Sequence, residues 1–586
     1  MENAPIDIYP EHRALFRLGL QGIGIRAVAA EGTVERFEGE ISVPWEDPGG
    51  SGAQTTVHRI RVELPEAFPF AKPAVLPLDT DPPISYERHQ APAENGAFCL
   101  YSEEENGWVP WTTAEELAER IREWLVHYHQ NDWPANDRPP DLHLYFPGDG
   151  MRRMMLVGEE WHLPPDTDSG RFAFWHPKAT CAFAANPAPG SRSPSARSGD
   201  RILSFLGMAG MPSAHVGLWF RLNREPAPAP TLDGMLASID QAAEKTSGWS
   251  LSHLRALVGY KVSRAGARVL LALGYPDESG GTRWLFLYAA VPGSQHGPQK
   301  LAKCLPDSKV GSYEAAGVDH ASLMRRTGHT EHRLKDKSVL VFGLGSIGSA
   351  VAVLLAKAGI GRLHLVDSDR LRPGNAVRHA AGLDLVGEAK TLATEFEVRR
   401  HAPDCAVRLS GAIWDPVILG GWLDADVVID ATANVTFSLL LNELCLRQRK
   451  TVVYVAAYRR AVIGRVRLVR PGQDACMVCY EAGEGGYLDS ADYPAIPFGE
   501  EGEFVEGGCG NPTVEASAAD VEASANFAAR TALRFLEGKQ GDENHCLIVN
   551  EVLPEAIGPF ATLGAHWQRW MPIAGCGGCG AVERLR

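Results

Sequence analysis

Two cysteine pairs, Cys476-Met-Val-Cys479 and Cys576-Gly-Gly-Cys579, begin 100 residues apart. Each pair presents two thiols about one turn apart, and two pairs together supply the four thiolates of a closed tetrahedral zinc site. The same spacing also suits reduced or disulfide-capable redox pairs. A closed set of four cysteines leaves no open coordination position, so a metal there would contribute stability rather than catalysis. Between the pairs, Cys509 is flanked by glycines in an otherwise acidic and polar stretch. It precedes a helical pattern that opens between Pro512 and Asp520. A thiol near a helix N-terminus has a depressed pKa and is the better nucleophile for it. The other reading of Cys509 is a packing or zinc-adjacent residue. Cys181, Cys304, Cys405, Cys445 and Cys546 sit in no motif and are assigned to the core.

A second chemistry concerns nucleotides. Ser338–Phe342 is a nearly continuous apolar run, as expected of a strand buried on both faces. It runs into Gly-Leu-Gly-Ser-Ile-Gly, in which Gly343, Gly345 and Gly348 fill the pattern GxGxxG where a helix opens. Glycines there permit a tight turn and close approach of the backbone to phosphate, and the helix N-terminus adds oriented N–H groups. Asp367 ends the next strand 19 residues after Gly348, where a ribose hydroxyl would be held. This fingerprint specifies an adenine nucleotide and suits NAD as well as ATP. No motif supplies a hydride-transfer acid or base.

The elements that must position these groups suggest three domains. Residues 1–145 read as mixed α/β, with strands near Thr33–Val43, Thr56–Leu64 and Ala74–Pro77 and a helix from Thr113 to Tyr128. Thr112 and Thr113 ahead of Glu115 and Glu116 predict a capping box. Residues 146–322, with Pro- and Ser-rich connectors at 186–200 and 225–230, read as an α+β linker domain without visible chemistry. Residues 323–586 alternate strands and helices and predict a doubly wound, Rossmann-like parallel sheet. A net charge of -15 over 586 residues argues against nucleic acid as the main partner. No apolar stretch is long enough for a secretory signal or a membrane span. Eleven cysteines without a disulfide framework point to the reducing cytoplasm.

The residues after the glycine loop narrow the chemistry. Asp367, Asp369, Asn375, Arg378, Gly387 and Lys390, followed by Asp430 in Asp-Ala-Thr-Ala-Asn, resemble the pattern of the ThiF/ubiquitin-activating family. The resemblance implies an ATP- and Mg²⁺-dependent adenylating domain. Arg378 and Lys390 would neutralise the triphosphate as a carboxylate attacks the α-phosphorus, and Asp430 would hold Mg²⁺. Arg325 and Arg326 stand where relatives bring an arginine to the phosphates. Ala433 and Ser438 depart from the pattern, standing where an Asp and an Arg are usual. The Cys509 loop resembles the crossover loop that carries the thioester cysteine, and many family members carry the paired CxxC arrangement.

The N-terminal part resembles ubiquitin-conjugating enzymes. Pro65–Pro77 is similar to their Tyr-Pro-Phe-x-x-Pro-Pro segment; His89 lies ten residues and Gly96 three residues before Cys99-Leu100; Trp108-Val-Pro110 leads into the next helix. The resemblance implies that Cys99 accepts an acyl group, with His89 beside it. His89-Gln90-Ala91 lacks the Asn of the family's His-Pro-Asn, which leaves Asn95 or His89 to assist, or Cys99 a weaker catalyst. A binding-only domain of the same fold is the other reading.

The order of conjugating, linker and adenylating domains resembles the fused activating–conjugating enzymes of bacterial CBASS anti-phage operons. That resemblance implies adenylation of the C-terminus of a cGAS-like nucleotidyltransferase, a thioester on Cys509, transfer to Cys99 and conjugation to an amine. It also implies a homodimer through the adenylating domain. Alternatives are a free-standing ubiquitin-like protein as donor, sulfur-carrier activation with a vestigial conjugating domain, and a non-catalytic scaffold.

Overall fold

The computed structural model describes residues 10–28, 33–50, 52–78, 89–91, 96–101, 107–134, 141–146, 153–158, 161, 167–178, 181–185, 215–243, 268–277, 281–290, 307–325, 327, 334–411, 416–458, 460–487, 503–505, 512–552 and 558–580. The chain forms two compact units. One comprises Met1–Val157, Trp161–Ser195 and Ser213–Ala316; the other comprises Gly158–Glu160, Ala196–Pro212 and Gly317–Arg586.

In the first unit, a helix over Pro10–Gly22 precedes a four-stranded antiparallel sheet laid down in chain order: Arg26–Ala27, Glu35–Glu46, Ala53–Leu64 and Ala74–Pro77. A helix over Ala114–Gln130 follows. The expected capping box is present, made by Thr113 and Glu116, with Thr113 N–H donating to the Glu116 carboxylate at 2.8 Å. The core joins Phe16 and Leu20 of the first helix to alternate strand residues such as Ile41, Val43, Ile60 and Val62. Leu117, Ile121, Trp124 and Leu125 of the second helix complete it. The first helix was not expected from the sequence. Its Leu15 and Leu18 are exposed while Phe16 and Leu20 are buried, so its apolar residues do not mark one clean face.

Where an α+β linker was expected, seven strands close into a barrel. Around it run His215–Arg221, Arg268–Pro276, Thr282–Ala290, Val310–Gly317, Met154–Val157, Cys181–Ala185 and Ser169–Lys178. One cluster draws residues from all seven strands, including Met155, Phe172, Ala182, Trp219, Ala272, Phe286 and Tyr313, and so fills the interior. Glycines make room for its rings: a Cβ on Gly217 would lie 2.4 Å from the Phe172 ring, and one on Gly311 2.4 Å from that of Tyr288. The opposite residues of four strands pack outward on the helix Leu232–Ala242 and on Leu142 and Phe146.

The second unit is built on an eight-stranded sheet in the order Ala406–Ser410, Arg362–Val366, Ser338–Phe342, Val427–Asp430, Val452–Tyr458, Ile463–Val469, His545–Val549 and Gly564–Gln568. The first five strands are parallel, in the doubly wound arrangement expected. The last three are antiparallel, so the sheet is mixed rather than purely parallel. Helices cover both faces. Ser346–Lys357 and Ala518–Leu536 pack on one side with Val339 and Val341, and Val435–Gln448 packs on the other with Leu340 and Phe342. The strand order reverses direction at Ser338–Phe342: the next strand in the chain lies on one side of it, and Val427–Asp430 on the other. A crevice at the carboxyl ends of such a pair is where doubly wound folds bind ligands.

Candidate functional site

At that switch point, Gly343 adopts φ +79°, and a Cβ there would lie 2.8 Å from the backbone of Thr432. A Cβ on Gly348 would lie 1.8 Å from the carbonyl oxygen of Gly343. These two glycines are required by the close approach of loop, helix and the neighbouring strand end. Gly345 differs, for a Cβ on it meets no atom within 4 Å. It stands at the N-terminus of Ser346–Lys357, which has no side-chain cap. Uncapped N–H groups beside an open glycine are what a phosphate needs.

Acidic and basic residues gather around this loop. The carboxylate of Asp367, at the end of Arg362–Val366, accepts from Leu344 N–H at 2.6 Å and from Asp369 N–H at 2.7 Å. It thereby ties the glycine loop to the next strand. The crossover then doubles back: Leu371 N–H donates to the Glu388 carbonyl and Gly387 N–H to the Leu371 carbonyl. That return brings Lys390 beside Asp369, with Nζ 2.8 Å from Oδ2. Within the crossover, the side chain of Asn375 accepts from Arg372 N–H at 3.1 Å. The Asn375 carbonyl accepts from Arg378 N–H at 2.9 Å.

His379, next to Arg378, was not singled out from the sequence, and no spacing marks it. Its Nδ1 accepts from Ala381 N–H, so Nε2 carries the proton and donates to the Leu344 carbonyl at 3.0 Å. Burial pushes its pKa down to about 4, which keeps the ring neutral in that role.

On the other side of the switch point, Asp430 is only 2% exposed. Its carboxylate accepts from Thr432 N–H at 3.0 Å, from Thr432 Oγ1 at 2.6 Å and from Ser438 Oγ at 2.5 Å. Burial raises its pKa, and these donors act against that rise. Ser438, noted above as a departure, is therefore a hydrogen-bond donor to Asp430. Ala433 takes φ +54°, a left-handed conformation that costs a non-glycine residue roughly 1 kcal/mol. Asn434 then caps Val435–Gln448 by accepting from Phe437 N–H at 3.0 Å.

The four paired cysteines converge. Their sulfurs all lie within 4.8 Å of one another. Cys476 is 3.8 Å from Cys479 and 3.7 Å from Cys576, and Cys479 is 3.6 Å from Cys579. Thiolates 2.3 Å from a tetrahedral zinc stand about 3.8 Å apart, so the donor set fits zinc. Among the described residues, no other group of three or more His, Cys, Asp or Glu is gathered to hold a metal.

In the first unit, Gln90–Ala91 pairs antiparallel with Ala97–Phe98. That register sets His89 opposite Cys99, and Cys99 N–H donates to the His89 carbonyl at 2.9 Å. The same carbonyl accepts from Trp124 Nε1 at 3.1 Å. The His89 ring is buried and stacked on Trp133 with centroids 3.7 Å apart. Cys99 is partly exposed. Gly96 takes φ +83° at the turn before it. Cys509, Arg326 and Asn95 lie outside the described residues, whereas Arg325 is exposed after the short helix His320–Met324.

Residues 320–550 match the model of the ThiF family. The uncharacterized protein y4oA of Sinorhizobium fredii is 27% identical, over 79% of this chain and 80% of its own length. That likeness therefore reaches well outside residues 320–550. Ubiquitin-like modifier-activating enzyme 5 of Arabidopsis thaliana is 29% identical over 30% of this chain, and the pig adenylyltransferase and sulfurtransferase MOCS3 is 33% identical over 25%. The chain spans 48% and 32% of the length of these last two. Among solved structures, E. coli MccB with ATP is 20% identical with a TM-score of 0.33, covering 44% of this chain and 72% of MccB. Among the described residues, no helix is long and apolar enough to cross a membrane. Residues 320–550 are a ThiF-family domain.

Proposed function

We propose that the chain activates the C-terminal carboxylate of a protein or peptide by ATP-dependent adenylation. The observation that carries this reading is the meeting of the glycine loop, the Lys390–Asp369 pair and Asp430 at one switch point, within the segment that matches the ThiF family. A carboxylate oxygen attacks the α-phosphorus, the bond to the β-phosphate breaks, and pyrophosphate leaves. Little covalent work falls to the protein, so positioning and charge neutralisation supply the rate. The helix N-terminus at Gly345, Lys390 and Arg378 receive the phosphates, and Asp367 receives the ribose. A carboxylate has about four lone-pair sites; Asp430 uses three, which leaves one for Mg²⁺ accompanying the triphosphate. Zinc at Cys476, Cys479, Cys576 and Cys579 has a structural role.

The fuller reading adds an acyl relay. The thiol of Cys509 displaces AMP from the adenylate, forming a C–S bond as the C–O bond breaks. The acyl group then passes to Cys99 and on to an amine of a protein or small molecule. The order of helix, four-stranded meander, partly exposed cysteine and capped helix in the first unit supports a ubiquitin-conjugating-like domain there. The breadth of the y4oA likeness supports a shared arrangement of the whole chain. The donor we favour is a cGAS-like nucleotidyltransferase with a flexible C-terminus, in a cytoplasmic anti-phage operon, with the enzyme a homodimer. Sulfur-carrier activation is the second reading, favoured by the likeness to MOCS3.

Mass spectrometry of wild type, Cys509→Ala and Cys99→Ala, incubated with ATP and the products of neighbouring genes, tests the relay. Conjugates are expected to vanish in both variants, with donor retained on Cys509 in the second alone. Conjugates that persist in Cys99→Ala would remove the conjugating step.

A further inference from the structure

The helix Val435–Gln448 touches two sites with one face. Ser438 donates to Asp430 Oδ2 at 2.5 Å. One turn later, Asn442, 1% exposed, accepts the main-chain N–H of Met477 on its Oδ1 at 2.8 Å. Met477 directly follows Cys476. The side chain of Met477 is held as well, with Arg467 Nη1 3.4 Å from its sulfur. Arg467 stands on the strand residue opposite Tyr454, which in turn stands opposite Asp430. Met477 is thus joined to Asp430 along the helix, through Asn442 and Ser438.

We infer that Asn442 is a positioning residue: it transmits the order imposed at the four-cysteine cluster through Ser438 to Asp430, so that filling the cluster tightens the hold on nucleotide. Buried polar groups have few alternative partners, and an acceptor lost from a buried N–H must be replaced or the backbone must move. Here the groups that would move are the helix Met477–Tyr487, which begins directly after Cys476, and the helix that carries Ser438. Coupling between sites is a free-energy difference that a shared element biases; that element is Val435–Gln448. The inference rests on the adenylating reading in taking ATP as the ligand and Asp430 as part of its site.

The test is calorimetric titration with Mg²⁺–ATP of zinc-loaded and chelator-stripped protein, for wild type, Asn442→Leu and Asn442→Asp. The expected result is about tenfold weaker binding in zinc-loaded Asn442→Leu, with stripping then costing little more. Stripping alone should weaken wild type by a similar factor. Asn442→Asp, which keeps the acceptor, should bind as wild type does. Should Asn442→Leu fail to fold, Ser438→Ala serves as the second variant, with the same loss and the same insensitivity to stripping expected. Equal affinity for wild type and Asn442→Leu, or the same cost of stripping in both, would overturn the inference. Absence of any ATP binding by wild type would instead overturn the proposed function.

Discussion

Lys390 Nζ rests 2.8 Å from Asp369 Oδ2, although the two stand 21 positions apart in the crossover. The lysine side chain is 13% exposed and the aspartate 66%. An ion pair open to water on one side contributes about 0–1 kcal/mol to stability. The pair therefore places a cation beside the glycine loop more than it holds the fold.

Lys390→Ala should accordingly separate activity from stability. Carboxylate-dependent exchange of pyrophosphate into ATP is expected to fall roughly 10²–10³-fold, while the melting temperature moves by only about 2–4 °C. Unchanged exchange in a well-folded variant would take Lys390 out of the phosphate site.

The two kinds of glycine in the loop should respond differently. Gly348→Ala pushes a methyl into the Gly343 carbonyl at 1.8 Å, and overpacking of this kind costs about 1–3 kcal/mol. It is expected to lower the melting temperature and abolish ATP binding. Gly345→Ala meets no protein atom within 4 Å, so it should fold normally and weaken only ATP. Thermal melts beside ATP titrations of both variants decide this.

Acid should loosen the second unit in a defined window. Burial holds His379 and His364 at about 4, against an ordinary value of 6.5. Between those values the unfolded chain binds protons that the folded chain refuses, so stability is full above about pH 6.5 and declines as pH falls towards 4. His379→Gln keeps an N–H for the Leu344 carbonyl and should flatten the fall. A melting profile across pH 4–7 with the same slope in variant and wild type would contradict this.

The cysteine cluster predicts about one zinc per chain by elemental analysis. Cys479→Ser should lose the metal and lower the melting temperature by roughly 10 °C, since metal binding is coupled to folding. A chain that carries no zinc and whose four cluster thiols oxidise and reduce reversibly would favour the redox reading.

Much of the second unit was legible because its signals are local. The apolar run Ser338–Phe342 and the glycines after it mark a strand and turn, and the CxxC spacing marks a cluster before any contact is known. Two of the strands that were not read lack such signals. Ala406–Ser410 is an edge strand, partly exposed along its length. Ile463–Val469 carries Arg467, wholly buried against Tyr480 and Met477, which breaks the apolar pattern of a central strand. The barrel was hidden for a different reason: its closure depends on pairings between distant segments, such as His215–Arg221 with Arg268–Pro276. Glycines that look like turn residues lie under aromatic rings inside it. At the site, Ser438 read as a loss, because a hydroxyl reaching the strand-end carboxylate one helix turn away has no signature in sequence.

The most direct measurement is ATP–pyrophosphate exchange driven by peptides that match the C-termini of neighbouring gene products, each with a free or an amidated carboxyl end. Carboxylate adenylation at the glycine loop predicts exchange with a free terminus, none with its amide, and loss of exchange in Lys390→Ala. Exchange that ignores the terminal carboxylate, or a protein that binds NAD and not ATP, would contradict it.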